Sequence, residues 1–301
     1  MKAEKKIKFV DWHENLDTAT FLNILSKKFE VVIADDPDFI FYADFGRSHI
    51  NDDRVRIYYT SENLVPDFNV CDYAIGFHHI CFEDRYLRSP IYGLFRYRAD
   101  YEWAKTKHVF SSADLDSKDR FCNFVYSNPK AHGKRTEIFN FLGRYKKVDS
   151  AGKYLNNVGG PVRDKHRFQM RYRFSIAFEN SSMSGYTTEK IVQASAARTI
   201  PIYWGDPNID MYFNERAFIN CHKYASFHEV LDRVIEIDTN PRLFESMLRE
   251  PMLASTDIDH EDLEQFLWHI LDRGERNYRR SNILRGQWYQ NWIKTSVALR
   301  Q

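Results

Sequence analysis

The sequence has 301 residues, with 43 lysines and arginines against 42 aspartates and glutamates, so its net charge at pH 7 is +1. This balance excludes a broad basic face for nucleic acid, and any bound anion must be held by a few local side chains. The 16% of aromatic residues and the 12 glycines exclude low-complexity, collagen-like and disordered classes, and the length favours two domains of roughly 150 residues.

Short β-branched and aromatic runs alternate with amphipathic stretches in the first part of the chain. Such alternation is typical of parallel sheets covered by helices. The clearest predicted helix is 20–29, and the predicted strands are residues 8–11, 31–34, 39–43, 56–60 and 73–77. These segments indicate one doubly wound α/β unit.

A second α/β series begins near residue 121. Its predicted strands are 121–127, 147–150, 174–178, 199–204 and 217–220, with helices near 134–142, 188–198 and 227–236. The polar segment 111–120 (SSADLDSKDR) lacks periodicity and is interpreted as the linker between the units. Ligands of open α/β sheets bind outside the carboxyl ends of the strands, so two such units facing each other predict a cleft.

The sequence predicts a soluble, cytoplasmic protein, because it contains no run of 18 apolar residues and no long apolar region near its start. Four cysteines without a C-x-x-C pair predict neither a zinc framework nor a disulfide scaffold. Residues 273–301 carry seven lysines and arginines against Glu275 and are predicted to form a basic amphipathic helix. This helix either packs back on the first unit or contacts the inner membrane surface peripherally.

The most informative stretch is FSIAFENSSMSGYTTEKIVQASAARTIPIYWGDP at residues 174–207. A strand runs into a polar loop, and a helix is predicted to begin with Thr187 or Thr188 as its N-cap. Lys190 then occupies the first turn, where the helix dipole disfavours a cation. A bound phosphate would reverse that penalty, since the helix terminus and the lysine would share one anion. The alternative is that Lys190 is solvated and only pairs with Glu189 or another carboxylate.

A second predicted helix start breaks the same rule. After the strand 121–127, the loop NPKAHG leads to Lys134 and Arg135 at the beginning of a helix. Arginine suits bidentate recognition of phosphate oxygens, so Arg135 and Lys190 at one sheet edge predict a nucleotide-diphosphate site. Neither loop has the spacing of a Walker loop or of a G-x-G-x-x-G fingerprint.

These residues also carry a family resemblance. F-E-N, a spacer, Y-x-T-E-K and P-I-Y-W-G-x-P resemble the signature of the α1,3-fucosyltransferases of glycosyltransferase family 10, bacterial type, and every fixed element is present. The resemblance continues in FCNFVYSNPKAHGKR at 121–135 and RIYYTSENLVPDFNVCDYAIGF at 56–77, and it covers most of residues 55–220. Residues 2–29 and the tail beyond Glu250 match only loosely.

The resemblance implies the GT-B architecture, which consists of two facing Rossmann-like domains. Residues 1–115 would bind the acceptor and carry the catalytic base, 116–275 would bind GDP-fucose, and 276–301 would form a helix packing back across the domains. It further implies inverting transfer of L-fucose to the 3-hydroxyl of GlcNAc or glucose in N-acetyllactosamine- or lactose-type β-galactosides. No cofactor or essential metal is expected, and three D-x-D triplets are interpreted as chance occurrences among 42 acidic residues.

The resemblance also assigns site residues. Arg135 and Lys190 would contact the diphosphate, while Asn180, Tyr186 and Glu189 would contact GDP or fucose. Fixed cations suit this role, because negative charge grows on the leaving diphosphate as the C1–O bond breaks. From the residues alone, Glu189 is an ordinary first-turn carboxylate favoured by the helix dipole.

Inversion by direct displacement requires a base that takes the proton of the attacking hydroxyl. Glu62 follows the predicted strand 56–60 and matches the family's E-N-x-x-P segment, so the resemblance assigns it as catalytic base; from the residues alone it is a solvated loop carboxylate. His13, His78 and His79 lie near strand ends and are candidate acceptor contacts, and Trp12 is either a sugar-stacking or a core residue.

Two other functions are kept open at this stage. One is a related GT-B transferase with another nucleotide-sugar donor, and the other is a noncatalytic glycan-binding module. The joint presence of Glu62, Arg135, Glu189 and Lys190 favours an enzyme. The sequence does not distinguish α1,3 from α1,4 linkage.

Overall fold

The computed structural model describes residues 1–14, 16–129, 131, 133–254, 260–274 and 278. The chain divides into two compact units, Met1–Ser89 with the described part of Asp259–Gln301, and Pro90–Ile258. The predicted boundary after residue 115 therefore lies inside the second unit. The predicted C-terminal helix 276–301 lies outside the described residues, apart from Tyr278.

The first unit is built on a six-stranded sheet in which every neighbouring pair is parallel. Two central strands, FIFY and VRIYY, are buried along their whole length, as expected for strands covered on both faces. In sheet order the strands are β2 (Glu30–Ile33), β1 (Glu4–Val10), β3 (Phe39–Tyr42), β4 (Val55–Tyr59), β5 (Tyr73–Gly76) and β6 (Tyr86–Arg88).

The second unit contains a five-stranded parallel sheet. Its order is β11 (Ile219–Asn220), β10 (Ile200–Trp204), β9 (Tyr172–Phe178), β7 (Arg120–Phe124) and β8 (Val148–Ser150). The direction of strand addition reverses between β7 and β9. The crevice outside the carboxyl ends of the strands at such a switch point is where ligands of this fold bind.

Helices cover both sheets. They are α1 (Thr18–Lys28), α2 (Arg98–Lys105), α3 (Ser112–Asp116), α4 (Lys134–Gly143), α5 (Lys165–Gln169), α6 (Lys190–Ala196), α7 (Phe227–Thr239), α8 (Pro241–Arg249) and α9 (His260–Arg273). None of the helices in the described ranges is both long and apolar enough to span a membrane.

In the first unit, the last described helix packs against the first one. α9 packs on α1, and the indole of Trp268 donates a hydrogen bond to the carbonyl oxygen of Ile24 at 3.1 Å. α1 is capped by Asp17, whose side chain accepts the Thr20 N–H, and it buries Phe21 and Leu25. The last described helix therefore completes the layer over the N-terminal sheet.

The second unit has a core on each face of its sheet. On one face, Phe178 and Ile202 pack with α4 and α7. Their sequence neighbours Ala177 and Tyr203 point to the opposite face and pack with α2 and α6. This alternation follows from the two-residue period of a strand. Because α2 packs on α6, the chain joins the second unit well before residue 115.

The predicted linker 111–120 is wrong, since it contains α3 and the first residue of β7. Ser111 and Asp114 form a reciprocal capping box at the start of α3. The predicted N-cap of the helix after β9 is also wrong, because α6 begins at Lys190 with Glu189 in the cap position.

Candidate functional site

A cavity of about 200 Å³ opens at the switch point of the second sheet. Its walls come from the loops that follow β7 and β9, from both ends of α5, and from the starts of α4 and α6. Four of the predicted donor-site residues line it: Arg135, Asn180, Glu189 and Lys190. The structure therefore brings both cationic helix starts to one place.

Arg135 is buried at the start of α4 and is tied to the end of β9. Its Nε and Nη2 donate to the carbonyl oxygen of Phe178 at 3.2 and 2.7 Å, and its guanidinium lies 4.1 Å from the centre of the Tyr126 ring. Burial raises the pKa of Tyr126 to about 12, so this phenol stays neutral. These contacts fix the guanidinium plane while engaging two of its five N–H donors.

Glu179 of the F-E-N segment is a fully buried carboxylate that organises the loop after β9. It accepts the backbone N–H of Thr188 at 2.8 Å and the Lys190 ammonium at 2.9 Å, and it also accepts the Thr188 hydroxyl. A Cβ at Gly205 would lie 2.4 Å from Glu179 Cγ, which explains the glycine of the Y-W-G segment. Because Thr188 is committed to Glu179, it does not cap α6.

Lys190 forms an ion pair with Glu179 and lies 3.5 Å from the nearer carboxylate oxygen of Glu189. The pairing with a carboxylate is therefore present, but the predicted solvated position is wrong, because only 15% of the Lys190 side chain is exposed. Burial lowers the pKa of the Lys190 ammonium, but the two carboxylates raise it further, so the net pKa lies above its ordinary value. Conversely, Lys190 and Lys165 outweigh burial and hold the pKa of Glu189 below its usual value. Both side chains are charged at neutral pH.

The remaining two predicted donor-site residues differ in position. Asn180 follows β9 and lines the cavity. Tyr186 is buried in the same loop, with 1% of its surface exposed, and is not among the described lining residues. Tyr186 therefore lies in the loop after β9 without being part of the described cavity lining.

Two cavity-lining residues, Lys165 and Gln169, were missed from the sequence. Both lie on α5, which precedes β9, whereas the sequence reasoning considered helices that follow strands. The Lys165 ammonium donates to Gln193 Oε1 at 2.7 Å, and Gln169 is almost fully buried. Only the folding of α5 over the sheet brings them to the cavity.

Glu62 lies in the first unit, just beyond the carboxyl end of β4, as predicted. Its backbone N–H donates to Thr60 Oγ1 at 3.0 Å, and the Thr60 hydroxyl in turn donates to Asp44 Oδ2 at 2.6 Å. Tyr58 also donates to Asp44, which follows β3. Burial raises the pKa of Asp44 despite these hydrogen bonds. The backbone of the Glu62 loop is thus fixed from inside the unit.

The predicted acceptor-contact histidines lie in different surroundings. His78 is buried and bonds Asn63 Oδ1 through Nε2 at 3.1 Å, and burial lowers its pKa. The His13 ring packs 4.9 Å from the ring of Phe45, and His79 is exposed. Trp12 packs against core aromatic rings, including Tyr59, so the core interpretation of Trp12 holds.

Within the part of the chain that the structure describes, no group of three or more His, Cys, Asp and Glu side chains is arranged to hold a metal ion. The first D-x-D triplet contacts Arg54 through Asp36, and the second contacts Arg198 through Asp114 at 2.7 Å. The third, at 257–259, lies outside the described residues.

Two family models match the chain. Residues 7–95 match "Alpha-(1,3)-fucosyltransferase FucT N-terminal domain", and residues 115–249 match "Glycosyltransferase family 10 (fucosyltransferase) C-term". The Helicobacter pylori protein "Alpha-(1,3)-fucosyltransferase FucT" is 31% identical over 292 residues, covering 84% of this chain and 61% of the relative. "Putative fucosyltransferase R654" of Acanthamoeba polyphaga mimivirus is 32% identical over 165 residues, covering 51% of this chain and 27% of that protein. The chain therefore spans less than two thirds of either relative.

Solved structures match over nearly the whole chain. A crystal structure of an α1,3-fucosyltransferase superposes with a TM-score of 0.80 at 27% identity, covering 94% of this chain and 93% of that one. A crystal structure described as α1,3-fucosyltransferase with GDP-fucose gives a TM-score of 0.78 at 27% identity, covering 93% of each chain. Anabaena HepE in complex with UDP-glucose shares the fold alone, with a TM-score of 0.54 at 10% identity. The predicted α/β fold of the GT-B class is confirmed.

Proposed function

Since the chain belongs to glycosyltransferase family 10, the α1,3-fucosyltransferase family, we propose that it transfers L-fucose from GDP-fucose to a sugar hydroxyl. The proposed acceptors are N-acetyllactosamine- and lactose-type β-galactosides, fucosylated on the 3-hydroxyl of GlcNAc or glucose. The products would be Lewis-type glycans or fucosyllactose. The observation that carries this proposal is the cavity in which Arg135, Glu189 and Lys190 converge at the switch point of the second sheet.

The donor side of the proposal relies on fixed charge. Arg135 and Lys190 are held by Phe178 and Glu179, so their N–H groups need little reorganisation when negative charge develops on the diphosphate. Glu189 is ionised and accepts hydrogen bonds, which suits hydroxyl groups of ribose or fucose. The similarity to a solved relative described with GDP-fucose supports this donor. No cofactor or metal has a step in the proposed reaction.

The acceptor side of the proposal assigns Glu62 as the general base. Its carboxylate would take the proton of the attacking hydroxyl while the oxygen bonds the anomeric carbon and GDP leaves, so that the configuration inverts. The hydrogen bond from the Glu62 N–H to Thr60 keeps the loop backbone in one conformation. The sequence match of the E-N-x-x-P segment supports this role.

The decisive experiment incubates the purified protein with GDP-fucose and a panel of lactose, N-acetyllactosamine and type-1 acceptors. GDP release and NMR of the product report turnover, linkage and anomeric configuration. We expect an α1,3-linked product, with activity retained in EDTA. Tight GDP binding without turnover on any β-galactoside would refute the proposed reaction. Thermal shifts with GDP, UDP and CDP identify a different donor nucleotide, because selective binding raises Tm by mass action.

A further inference from the structure

Helix α5 presents two side chains to the donor cavity that belong to none of the sequence motifs. Lys165 and Gln169 are four residues apart, so they lie on the same face of the helix. Both line the cavity together with Arg135, Glu189 and Lys190. α5 therefore contributes two polar side chains to the cavity.

The charged side chains at the cavity differ in how they are paired. Lys190 is held between two carboxylates, 2.9 Å from Glu179 and 3.5 Å from Glu189. Lys165 is a third cationic side chain on the cavity lining. Its ammonium donates to the neutral oxygen of Gln193 at 2.7 Å, and the charges of Glu189, Lys190, Asp100 and Glu179 act on it. Among the described residues Lys165 forms no ion pair with a carboxylate, whereas Lys190 forms two.

Gln169 has a buried side-chain oxygen without a hydrogen-bond partner in the described part of the chain. Its Nε2 donates to Asn123 Oδ1 at 3.1 Å and faces Ser175 Oγ at 3.3 Å, which fixes the orientation of the amide. Its Oε1 is then a buried acceptor with no hydrogen-bond partner, in a residue only 4% exposed. A buried carbonyl oxygen in this position is costly unless a donor reaches it. Since Gln169 lines the cavity, a ligand can supply that donor.

We propose that α5 binds the nucleotide of the sugar donor, with Lys165 contacting a phosphoryl oxygen and Gln169 Oε1 accepting an N–H or O–H of the nucleoside. This inference rests on the proposed function and extends it to two residues outside the family motif. The Lys165 ammonium would donate to a phosphate oxygen, which can only accept hydrogen bonds. Gln169 Oε1 would accept a hydrogen bond from an N–H or O–H group of the nucleoside. The pair therefore recognises both chemical halves of a nucleoside diphosphate.

Two probes, GDP and guanosine, separate the two contacts. Lys165→Met removes the charge and is expected to weaken GDP binding by about 10- to 100-fold, the effect of losing one charge-assisted hydrogen bond. Guanosine binding is expected to stay within twofold, because guanosine has no phosphate. Lys165→Arg keeps the charge and should retain most of the affinity. Lys147→Met is the matched control, since it removes an exposed lysine before β8, at the amino edge of the same sheet.

Gln169→Leu is expected to weaken GDP and guanosine binding by the same factor, about tenfold, because it removes a nucleoside contact. Calorimetry gives the GDP affinities, and competition against GDP gives those of guanosine. Far-UV circular dichroism and Tm check that each variant is folded. If Lys165→Met does not fold, Lys165→Gln removes the same charge and keeps a polar group beside Gln193.

The outcomes distinguish this inference from the function on which it rests. A wild-type protein that binds no GDP overturns both. If wild-type binds GDP and Arg135→Met weakens that binding, but a folded Lys165 charge-removal variant stays within twofold, the role of Lys165 is refuted and the proposed function stands. Equal losses of GDP and guanosine binding on Lys165 replacement would also refute a phosphate contact. Unchanged guanosine affinity in Gln169→Leu refutes the nucleoside contact.

Discussion

Removing the Glu179 carboxylate should destabilise the second unit strongly, because that carboxylate is fully buried and has charged and backbone partners. In Glu179→Ala, the Lys190 ammonium loses its partner at 2.9 Å and the Thr188 N–H loses its acceptor at 2.8 Å. A hydrogen bond to a charged group contributes about 1.5–3 kcal/mol, so these two together amount to about 3–6 kcal/mol. Breaking a buried ion pair by removing one partner costs about 3–5 kcal/mol in other proteins, which agrees.

Urea unfolding followed by tryptophan fluorescence measures this loss. The matched control is Glu245→Ala, which removes a partly exposed carboxylate paired with Arg249 one helical turn away and should cost about 0.5 kcal/mol or less. The double variant Glu179→Gln/Lys190→Met should cost less than the sum of its single changes, because no unpaired charge stays buried. A loss below about 1 kcal/mol in Glu179→Ala would refute the assignment of Glu179 as the anchor of Lys190.

Three further variants test other parts of the molecule. Glu62→Gln should lose at least about 100-fold in turnover while its GDP affinity is unchanged, and retained turnover would place the general base elsewhere. Gly205→Ala places a Cβ 2.4 Å from Glu179 Cγ, so it should lower both Tm and GDP affinity, and an unchanged Tm would contradict the close approach. Buried Lys118 has its pKa lowered by burial from 10.5 to about 7. Between these values the unfolded chain binds one more proton than the folded chain, so stability should rise with pH by up to about 1.4 kcal/mol per unit. Lys118→Met should lack that contribution, and equal pH slopes in the two proteins would contradict it.

Three strands were predictable because their burial is nearly continuous. The runs FIFY, VRIYY and FSIAF are apolar enough to be recognised as covered on both faces, and the structure places a strand at each. By contrast, β6 has three residues and α2 has eight, four of them charged, so both are short segments that were not predicted. The predicted linker failed for a different reason. Ser111 and Asp114 have the spacing of a capping box, which is a local indication in the sequence that a helix begins there.

The cavity itself was predictable only in part. The cationic helix starts at Arg135 and Lys190 violate the helix dipole, and this conflict indicated a ligand site. The partners of these cations depend on long-range contacts: Arg135 bonds a carbonyl at the end of another strand, and Lys190 bonds Glu179 across the loop. Thr188 would be an ordinary N-cap by local rules, but it bonds the buried Glu179 carboxylate, and a buried charge left without donors costs more than an uncapped helix.

The carboxylates at the cavity determine how its cations can act. Glu179 and Glu189 reduce the net attraction for an anion, yet they hold Lys190 in one position at the cavity wall. In the proposed reaction, an oriented cation stabilises developing charge without having to reorganise, whereas a mobile lysine would first lose conformational freedom. Orientation then comes from Lys190, which is paired with carboxylates, and affinity from Lys165, which forms no ion pair among the described residues. Variants of Glu179 should therefore impair turnover more than their effect on GDP affinity explains, and variants of Lys165 should show the reverse.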